Sequence, residues 1–378
     1  MSKYILIIDD EEGIRLTLAF TLEDEGYTVD TASTGVEALE MMKKRRYDMV
    51  ITDLMMPGIS GMEIVKHTKK RYPDTVVIMI TGRGSEEKAV EAMKLGADDY
   101  IPKPIEPEEM LIKLSKTMEM QRLKQENRSF QKHLEQELDT ARKIQQSLLP
   151  QSIPAFNGID ISIFSQPAKH VGGDYHDLIQ LPSGKLGVAI GDVSGKGMPA
   201  ALLMANVQAS IRRCSEELHS PGEVISRINR SLCPICQYIE EHRFITLFYG
   251  IFDPQSNDFI YSNAGHNYPL VFRQNLDDFY ALESTGLPCG ILDDAEYDEN
   301  SLRLSRDDVL LLYTDGITEA TNPDGIMFGE ENLVSTITGK YDLCSKNILE
   351  NINNELESFT KGKLQNDDLT LMVLKFSI

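Results

Sequence analysis

Two patterns of apolar and polar positions alternate along residues 1–120. Short runs of apolar residues are typical of buried strands, and segments with apolar residues every three or four positions are typical of helices. The apolar runs span 4–9, 28–32, 49–52, 75–80 and 100–101, and helical spacing covers 14–22, 36–42 and 88–95. Short strands that alternate with helices predict an α/β doubly wound domain with a five-stranded parallel sheet.

The pattern then changes to one long helical stretch. Neither glycine nor proline occurs between Pro107 and Pro150, and apolar residues follow a seven-residue repeat. One seam position of this repeat holds Met120, Asn127, Leu134, Ala141 and Leu148, and the other holds Leu123, Phe130, Glu137 and Ile144. Because seven of these nine residues are apolar, the repeat favours a coiled-coil linker over residues 121–150 and a parallel homodimer formed through it. The alternative is a single amphipathic helix that packs on its own domains.

A third pattern begins at residue 151, where strand-like segments recur with short turns between several of them. These segments span 159–164, 186–190, 244–252, 259–262, 309–313 and 369–376. Short turns favour antiparallel pairing of the strands that they join. Helical patterns start at Pro199, at the capping sequence Ser220-Pro-Gly-Glu223 and at Ser345. Residues 151–378 are therefore predicted to form an α+β layered domain.

Charge and hydropathy narrow the range of partners. The 378 residues include 59 acidic and 38 basic ones, which gives a formal net charge of −21. Nucleic-acid binding needs clustered Lys and Arg, so neither DNA nor RNA is expected as a main partner. No apolar run approaches the ~18 residues of a membrane span, and the first run is too short for a signal peptide. These features indicate a cytoplasmic protein without a membrane partner.

Five cysteines are scattered along the chain, which suits a reducing compartment. Cys233 and Cys236 form a lone CxxC pair. A structural zinc site needs two further ligands at matching spacing, and none is evident, so both residues are expected to be buried thiols.

Polar residues stand at the ends of the strands predicted in the first domain. Asp9 and Asp10 end the first strand, Asp53 the third and Thr81 the fourth, and Lys103 follows the fifth. Ligands of parallel sheets bind at the carboxyl ends of strands, so these side chains are expected to meet in one crevice. Three carboxylates held together repel one another, and a hard cation such as Mg²⁺ relieves the repulsion. A single aspartate in this position is more often a cap or turn residue, so the joint set carries the prediction.

The first domain closely resembles the receiver domain of bacterial response regulators. The resemblance rests on IIDDEEGIR, ITDLMMPGISG, MITGRG and DYIPKP, in this order. It implies that Asp53 accepts a phosphoryl group from a sensor histidine kinase. It further implies a Mg²⁺ site formed by Asp9, Asp10, Asp53 and the carbonyl of Met55. Lys103 would pair with the phosphoryl group, Thr81 and Tyr100 would be switch residues, and Pro104 would follow a cis peptide bond. A carboxylate nucleophile needs such neutralising charge during phosphoryl transfer.

Aspartates mark the strand ends of the second domain as well. They are Asp174, Asp192, Asp315 and the pair Asp367 and Asp368. Oxygen ligands without His or Cys suit Mg²⁺ or Mn²⁺. A paired-metal site activates water for direct hydrolysis of a phosphate ester, which fits the absence of GxSxG and HExxH motifs.

Residues 140–378 resemble the PPM family of metal-dependent serine/threonine phosphatases (the protein phosphatase 2C family), in its branch of bacterial sporulation and stress regulators. The resemblance rests on ARKIQQSLLP, VGGDYHD, GDVSGKGMPAAL, FITLFYGIFDP, SNAGHNYPL, LYTDGITEA and NDDLTLMVL. It implies a β-sandwich flanked by helices. It also implies two Mn²⁺ or Mg²⁺ ions held by Asp174, Asp192, Asp315, Asp367 and the carbonyl of Val193, with Asp368 standing where the wider family has Asn. The phosphate-binding arginine of the animal enzymes has no counterpart before Asp174, and Lys196 and His266 are candidate helpers or structural residues.

The stretch GDVSGKG invites comparison with a phosphate-binding P-loop, which requires GxxxxGK followed by Ser or Thr. Here Ile190 occupies the place of the first glycine, and Gly197 follows Lys196. The nucleotide-binding interpretation fails at both positions, and attention moves to Asp192 in the same stretch.

Together the two resemblances predict a two-component response regulator with phosphatase output. Phosphorylation of Asp53 would control hydrolysis of phosphoserine or phosphothreonine in a partner, an anti-sigma factor antagonist with a STAS domain. The alternative is a catalytically inactive adaptor that is gated by phosphorylation. Retention of all four metal-ligand aspartates separates the two and favours the enzyme.

Overall fold

A computed structural model describes residues 3–82, 86–238, 243–273, 278–340, 342–363 and 365–377. The chain forms two compact units, Met1–Glu135 and Gln136–Ile378. Arg83 and Gly84, in the motif MITGRG, lie outside the described residues. Among the helices that are described, none has the length and apolar character needed to cross a bilayer.

The first unit contains a five-stranded parallel sheet in the order β2-β1-β3-β4-β5, so the predicted fold class is confirmed. Its strands are β1 (Tyr4–Ile8), β2 (Thr28–Ala32), β3 (Met49–Asp53), β4 (Val76–Thr81) and β5 (Asp99–Pro102). Its first helices are α1 (Glu12–Asp24), α2 (Gly35–Lys44), α3 (Gly61–Arg71) and α4 (Glu86–Lys94). Apolar cores lie on both faces of the sheet, as a parallel sheet requires.

Local capping explains where two of these helices begin. The Thr34 side chain accepts a hydrogen bond from the Glu37 amide at the start of α2. Ser60 and Glu63 form a reciprocal capping box at the start of α3, which satisfies two amides that the helix leaves free.

Helix α5 (Pro107–Leu148) is 42 residues long and continuous. Near its beginning Met110, Leu114 and Met118 pack into the core of the first unit. The heptad seam beyond them stays exposed, with Met120, Leu123, Phe130, Leu134 and Ile144 between 44% and 67% accessible. The coiled-coil interpretation would cover this apolar stripe with a second copy of the chain, and it stays a prediction.

The second unit contains two five-stranded sheets packed as a sandwich, in the orders β13-β10-β9-β8-β7 and β12-β11-β14-β15-β6. The strands of the first sheet are β7 (Tyr175–Gln180), β8 (Leu186–Val193), β9 (Ile245–Asp253), β10 (Asp258–Ala264) and β13 (Asn300–Arg303). Those of the second are β6 (Ile159–Gln166), β11 (Leu270–Arg273), β12 (Asp278–Ala281), β14 (Val309–Tyr313) and β15 (Leu369–Phe376). All the paired strands are antiparallel, as predicted.

Helices cover both outer faces of the sandwich. They are α6 (Met198–Glu217), α7 (Pro221–Tyr238), α8 (Asp315–Glu319), α9 (Gly329–Ile337) and α10 (Ser345–Thr360). One core fills the space between the sheets, a second joins the first sheet to α6 and α7, and a third joins the other sheet to α9 and α10. The layered α+β prediction is confirmed.

Several elements of the second unit differ from the sequence predictions. The strands β7, β11, β12 and β13 and the helices α8 and α9 were not predicted. β13 is short and largely exposed, and α8 has only five residues, so neither segment shows a clear periodicity of apolar residues in the sequence. The strand expected to end at Ile190 continues to Val193, which places Asp192 inside β8 rather than after it. Cys233 and Cys236 are free and buried on α7, as expected.

Candidate functional site

The carboxyl edge of the parallel sheet gathers three acidic side chains. Asp9 and Asp10 follow β1 and Asp53 ends β3, and carboxylate oxygens of the three lie within 4.8 Å of one another. Asp9 is fully buried, and its Oδ2 atom has no hydrogen-bond partner among the described residues. Burial, partly opposed by Lys103, raises the pKa of Asp9 above its usual value. The structure therefore brings together the acidic set that the sequence predicted.

Lys103 supplies the compensating charge. Its Nζ atom lies 2.9 Å from Asp53 Oδ2, 3.1 Å from Glu11 Oε1 and 3.3 Å from Asp9 Oδ2. Burial lowers the pKa of Lys103, but its hydrogen bonds to Asp53 and Glu11 more than offset this, so the net shift is upward and the amine stays protonated. The peptide bond before Pro104 is cis, as predicted.

The other receiver candidates surround this cluster. Thr81 is buried at the end of β4, which pairs with β3. The Met55 amide donates to Asp53 Oδ1 at 3.4 Å, which places the Met55 backbone beside the cluster. Tyr100 is partly exposed on β5, with Lys113 Nζ 5.0 Å from its ring centre.

A second acidic cluster forms where the two sheets of the sandwich meet. Asp192 comes from β8 in one sheet, Asp315 follows β14 in the other, and Asp367 precedes β15. Burial, then repulsion from Asp315, Asp367 and Asp368, raises the pKa of Asp192 to about 7. Burial and nearby carboxylates likewise raise the pKa of Asp315. This mutual repulsion shows that residues distant in sequence share one site, although no three of these carboxylates meet within 4.8 Å among the described residues.

Asp174 is held by two threonines that the sequence predictions missed. Its Oδ2 atom accepts hydrogen bonds from Thr314 Oγ1 at 2.8 Å and from Thr370 Oγ1 at 2.6 Å. Burial and the nearby charges of Asp192 and Asp368 raise the pKa of Asp174 well above its usual value. Each threonine lies close to a predicted ligand, in LYTDG and in DDLT, and that proximity was the available signal.

Asp368 has a different environment from the other acids. Its Oδ1 atom accepts from the Ala168 amide at 2.8 Å, and its Oδ2 atom accepts from the Gly173 amide at 2.6 Å. Because both oxygens bind backbone amides, the geometry favours a role in anchoring the loop before Asp174. A Cβ atom on Gly173 would lie 2.9 Å from the Val193 carbonyl, so glycine allows this loop to approach Asp192 and Val193 closely.

The end of helix α5 also holds this loop. The side-chain amide of Gln145 donates to the Gly172 carbonyl at 2.7 Å and accepts from the Gly172 amide at 3.1 Å. Gly172 is two residues before Asp174, so the linker helix is attached directly to the backbone that carries a candidate ligand.

The two candidate helpers occupy unlike positions. Lys196 is partly exposed, and its Nζ atom lies 2.7 Å from Asp367 Oδ2 and 2.6 Å from the Asn366 carbonyl. His266 is only 1% exposed, and its Nδ1 atom lies 2.9 Å from Thr246 Oγ1. Burial lowers the pKa of His266 to about 4, so the ring is neutral. Lys196 therefore borders the acidic cluster through Asp367, whereas the environment of His266 indicates a structural role.

The donor chemistry of both clusters fits hard divalent cations. All the candidate side-chain ligands are carboxylates. Burial, together with neighbouring carboxylates, raises the pKa values of Asp9, Asp174, Asp192 and Asp315, and a cation would neutralise the charge that these acids carry when ionised. The Asp9 Oδ2 atom, which is paired only with the charge of Lys103 at 3.3 Å among the described residues, is a suitable ligand in the first cluster. Asp174, Asp192, Asp315, Asp367 and the Val193 carbonyl fit the second.

Comparisons with known proteins match each of the two units to a family. The family model described as Stage II sporulation protein E (SpoIIE) matches residues 182–377, and that of the response regulator receiver domain matches residues 5–115. The phosphoserine phosphatase RsbU of Bacillus subtilis (strain 168) is 31% identical over 248 residues, which cover 66% of this chain and 72% of RsbU.

Two further relatives match one part of the chain each. A putative NtrX-like response regulator of Rickettsia conorii is 41% identical over 125 residues, which cover 32% of this chain and 26% of that protein. The solved SiaA-PP2C domain of Pseudomonas aeruginosa superposes with a TM-score of 0.58 at 19% identity, covering 65% of this chain and 98% of that domain. At this identity the solved structure supports the fold.

Proposed function

The chain belongs to the SpoIIE family of metal-dependent serine/threonine phosphatases and carries a receiver domain, and from this premise we propose that phosphorylation of Asp53 controls its phosphatase activity. A receiver domain implies an upstream phosphodonor kinase, and a phosphatase of this kind implies a phosphoprotein substrate. We assign the first role to a sensor histidine kinase.

The acidic cluster between the two sheets carries the catalytic assignment. Asp174, Asp192, Asp315, Asp367 and the Val193 carbonyl would hold two Mn²⁺ or Mg²⁺ ions. Such ions, when bound, lower the pKa of a water molecule and polarise the phosphoryl group, so that no protein nucleophile is needed. Asp174 is kept in one orientation by Thr314 and Thr370.

The chain's own cation at this site is Lys196. Its ammonium group orients Asp367 and stands at the exposed side of the cluster, where it can pair with a phosphate oxygen of the substrate. This assigns to Lys196 part of the work that an arginine does in the animal enzymes. The adaptor alternative is disfavoured because the complete acidic set is present and the relative RsbU is a phosphoserine phosphatase.

The receiver cluster carries the regulatory assignment. Asp53 would accept the phosphoryl group, with Mg²⁺ held by Asp9, Asp10, Asp53 and the Met55 carbonyl. Lys103 already contacts Asp53 and would pair with the new phosphoryl oxygens. Thr81 and Tyr100 would then act as the switch residues.

Helix α5 would transmit the change. Its first turns pack in the core of the first unit, and its end holds Gly172 through Gln145. We propose that the exposed seam between these ends pairs two copies of the chain. A shift of the helix would then alter the position of Asp174.

The proposed substrate is a STAS-domain anti-sigma factor antagonist phosphorylated on serine or threonine. Support comes from the similarity to RsbU and from the match to the sporulation-protein family.

The test measures release of phosphate from a phosphoserine STAS-domain protein and from p-nitrophenyl phosphate, with Mn²⁺ and with EDTA. We expect metal-dependent turnover that the Asp192→Asn variant loses. Turnover that survives in EDTA or in Asp192→Asn contradicts the catalytic assignment. Hydrolysis of the aryl phosphate but not of the STAS-domain protein contradicts the substrate assignment alone.

A further inference from the structure

A groove of about 820 Å³ opens beside the acidic cluster of the second unit. It runs between the end of α10, the loop after it and the segment that follows α8. Its lining includes Gly316, Lys196 and Asp367, so one end of the groove belongs to the candidate active site. Its volume falls in the range of about 300–1,000 Å³ that is usual for ligand sites.

One acid of the cluster, Asp367, is accessible from the groove. Asp367 and Lys196 have 31% and 38% of their side chains exposed. A second cleft touches Asp174 and Asp368, but Asp174 Oδ2 is held by Thr314 and Thr370, and both oxygens of Asp368 are bound to backbone amides. These contacts favour entry of a phosphoserine beside Asp367, with the chain that carries it on the adjoining surface.

The groove has an apolar floor and a rim that carries both charges. Phe164, Leu356 and Leu369 form the floor. The rim includes Lys361 and Lys363 together with Glu319 and Glu357. Lys363 donates to Thr321 Oγ1 at 2.8 Å and to the Asn322 carbonyl at 3.1 Å, which joins two walls of the groove. Lys361 is exposed at the end of α10 and makes no ion pair with any described residue, so its charge is available to an acidic side chain of a bound segment.

One more feature suits a bound peptide. Met327 is 58% exposed on one rim, where it can cover an apolar side chain that rests on the floor.

We propose that this groove binds the segment of the phosphoprotein substrate next to its phosphorylated residue. The segment lies extended, places an apolar side chain on the floor beneath Met327 and directs an acidic side chain to Lys361. The proposal rests on the proposed phosphatase function and adds to it a determinant of substrate sequence.

The test uses the full chain with Mn²⁺ and compares two substrates. One is a positional set of synthetic phosphoserine peptides with Leu, Asp or Lys at each flanking position, and the other is p-nitrophenyl phosphate, which is too small to occupy the groove. Wild type is expected to prefer peptides with Leu and Asp on one side of the phosphoserine. Met327→Glu and Lys361→Glu are expected to lower kcat/KM for those peptides about tenfold, mainly through KM, and to leave the aryl phosphate within about twofold.

Tyr280→Glu is the matched control, since Tyr280 is 42% exposed on β12, at the opposite edge of its sheet from β6. Lys361→Glu is also expected to shift the preference from Asp towards Lys in the peptide. Equal losses on both substrates, no loss on either, or the same loss in Tyr280→Glu would overturn the groove assignment. Failure of wild type to hydrolyse either substrate would instead contradict the proposed function.

Discussion

The chain contains two acidic clusters at sheet edges, and they balance their charge in different ways. In the receiver, Asp9, Asp10 and Asp53 lie within 4.8 Å of one another, and Lys103 contacts two of them. In the phosphatase, the acids come from two sheets, and Lys196 is paired with Asp367 alone. The pKa of Asp192 rises to about 7 in these surroundings. The receiver site is partly neutralised by its own lysine, whereas the acids between the two sheets have less compensating charge from the chain.

Replacement of one aspartate in each cluster should give the largest difference in turnover between the two sites. Asp192→Asn is expected to lower metal-dependent turnover by at least ~100-fold, because a direct metal ligand is removed. Asp53→Asn is expected to keep basal turnover within about threefold and to lose the response to acetyl phosphate. Steady-state kinetics on p-nitrophenyl phosphate measure both. Comparable losses of basal turnover in the two variants would remove the distinction between catalytic and regulatory acids.

The contact between α5 and the loop before Asp174 is expected to have the next largest effect. Gln145→Ala removes two hydrogen bonds worth ~1 kcal/mol each, so turnover should fall by up to about 30-fold. The exposed neighbour Gln146 provides the control, and Gln146→Ala should behave like wild type. If the linker acts through Gly172, Gln145→Ala should also weaken the effect of phosphorylation on turnover. If Gln145→Ala reduces turnover but keeps the full effect of phosphorylation, the signal does not pass through the contact between Gln145 and Gly172.

Removal of the receiver lysine tests the idea that one site neutralises itself. Lys103→Met is expected to lower the thermal midpoint of the metal-free receiver unit by several degrees, since three carboxylates lose their counter-charge. Mg²⁺ should restore more stability to this variant than to wild type. Calorimetry with Mg²⁺ and with EDTA measures the difference, and an unchanged midpoint in EDTA would show that Lys103 contributes no net stability.

The pH dependence of stability should be the smallest effect and should differ in sign between residues. Asp192 has a raised pKa in the folded protein, so its contribution to stability is complete below its unfolded pKa of ~3.9 and is lost as pH rises through about 7. The metal-free thermal midpoint should therefore fall between about pH 5.5 and about pH 8, less so in Asp192→Asn.

The Asp192→Asn variant is needed as a reference because two buried histidines change the thermal midpoint in the opposite direction with pH. Burial lowers the pKa of His176 and of His266 to about 4, so the contribution of each histidine to the stability of the protein decreases as pH falls. Mn²⁺ should stabilise wild type more at the higher pH, where the acids are ionised. An identical pH slope in wild type and Asp192→Asn would contradict the raised pKa.

The sequence predicted the receiver fold almost strand for strand, because its strands are continuous apolar runs that need no context. The same reasoning missed β7, where Tyr175, His176 and Asp177 are all buried although the sequence there looks polar. Asp177 can be buried because Arg212 donates to both of its oxygens, and such pairing across elements leaves no local signal.

The site residues also divide into those that the sequence predicts and those that it does not. The acids were predictable because each stands at a strand end next to a recognisable motif. Thr314, Thr370 and Gln145 were not, because their roles depend on hydrogen bonds between segments far apart in the chain. The groove beside Asp367 likewise exists only after α10 and the segment after α8 have packed together.

The most direct test of the account measures phosphoserine hydrolysis with Mn²⁺ before and after treatment with beryllofluoride, in wild type and in Asp53→Asn. We expect that beryllofluoride changes the rate in wild type and leaves the rate of Asp53→Asn unchanged, while EDTA abolishes turnover in both. An equal rate with and without beryllofluoride in wild type, or the same change in Asp53→Asn, would contradict control of the phosphatase by the receiver.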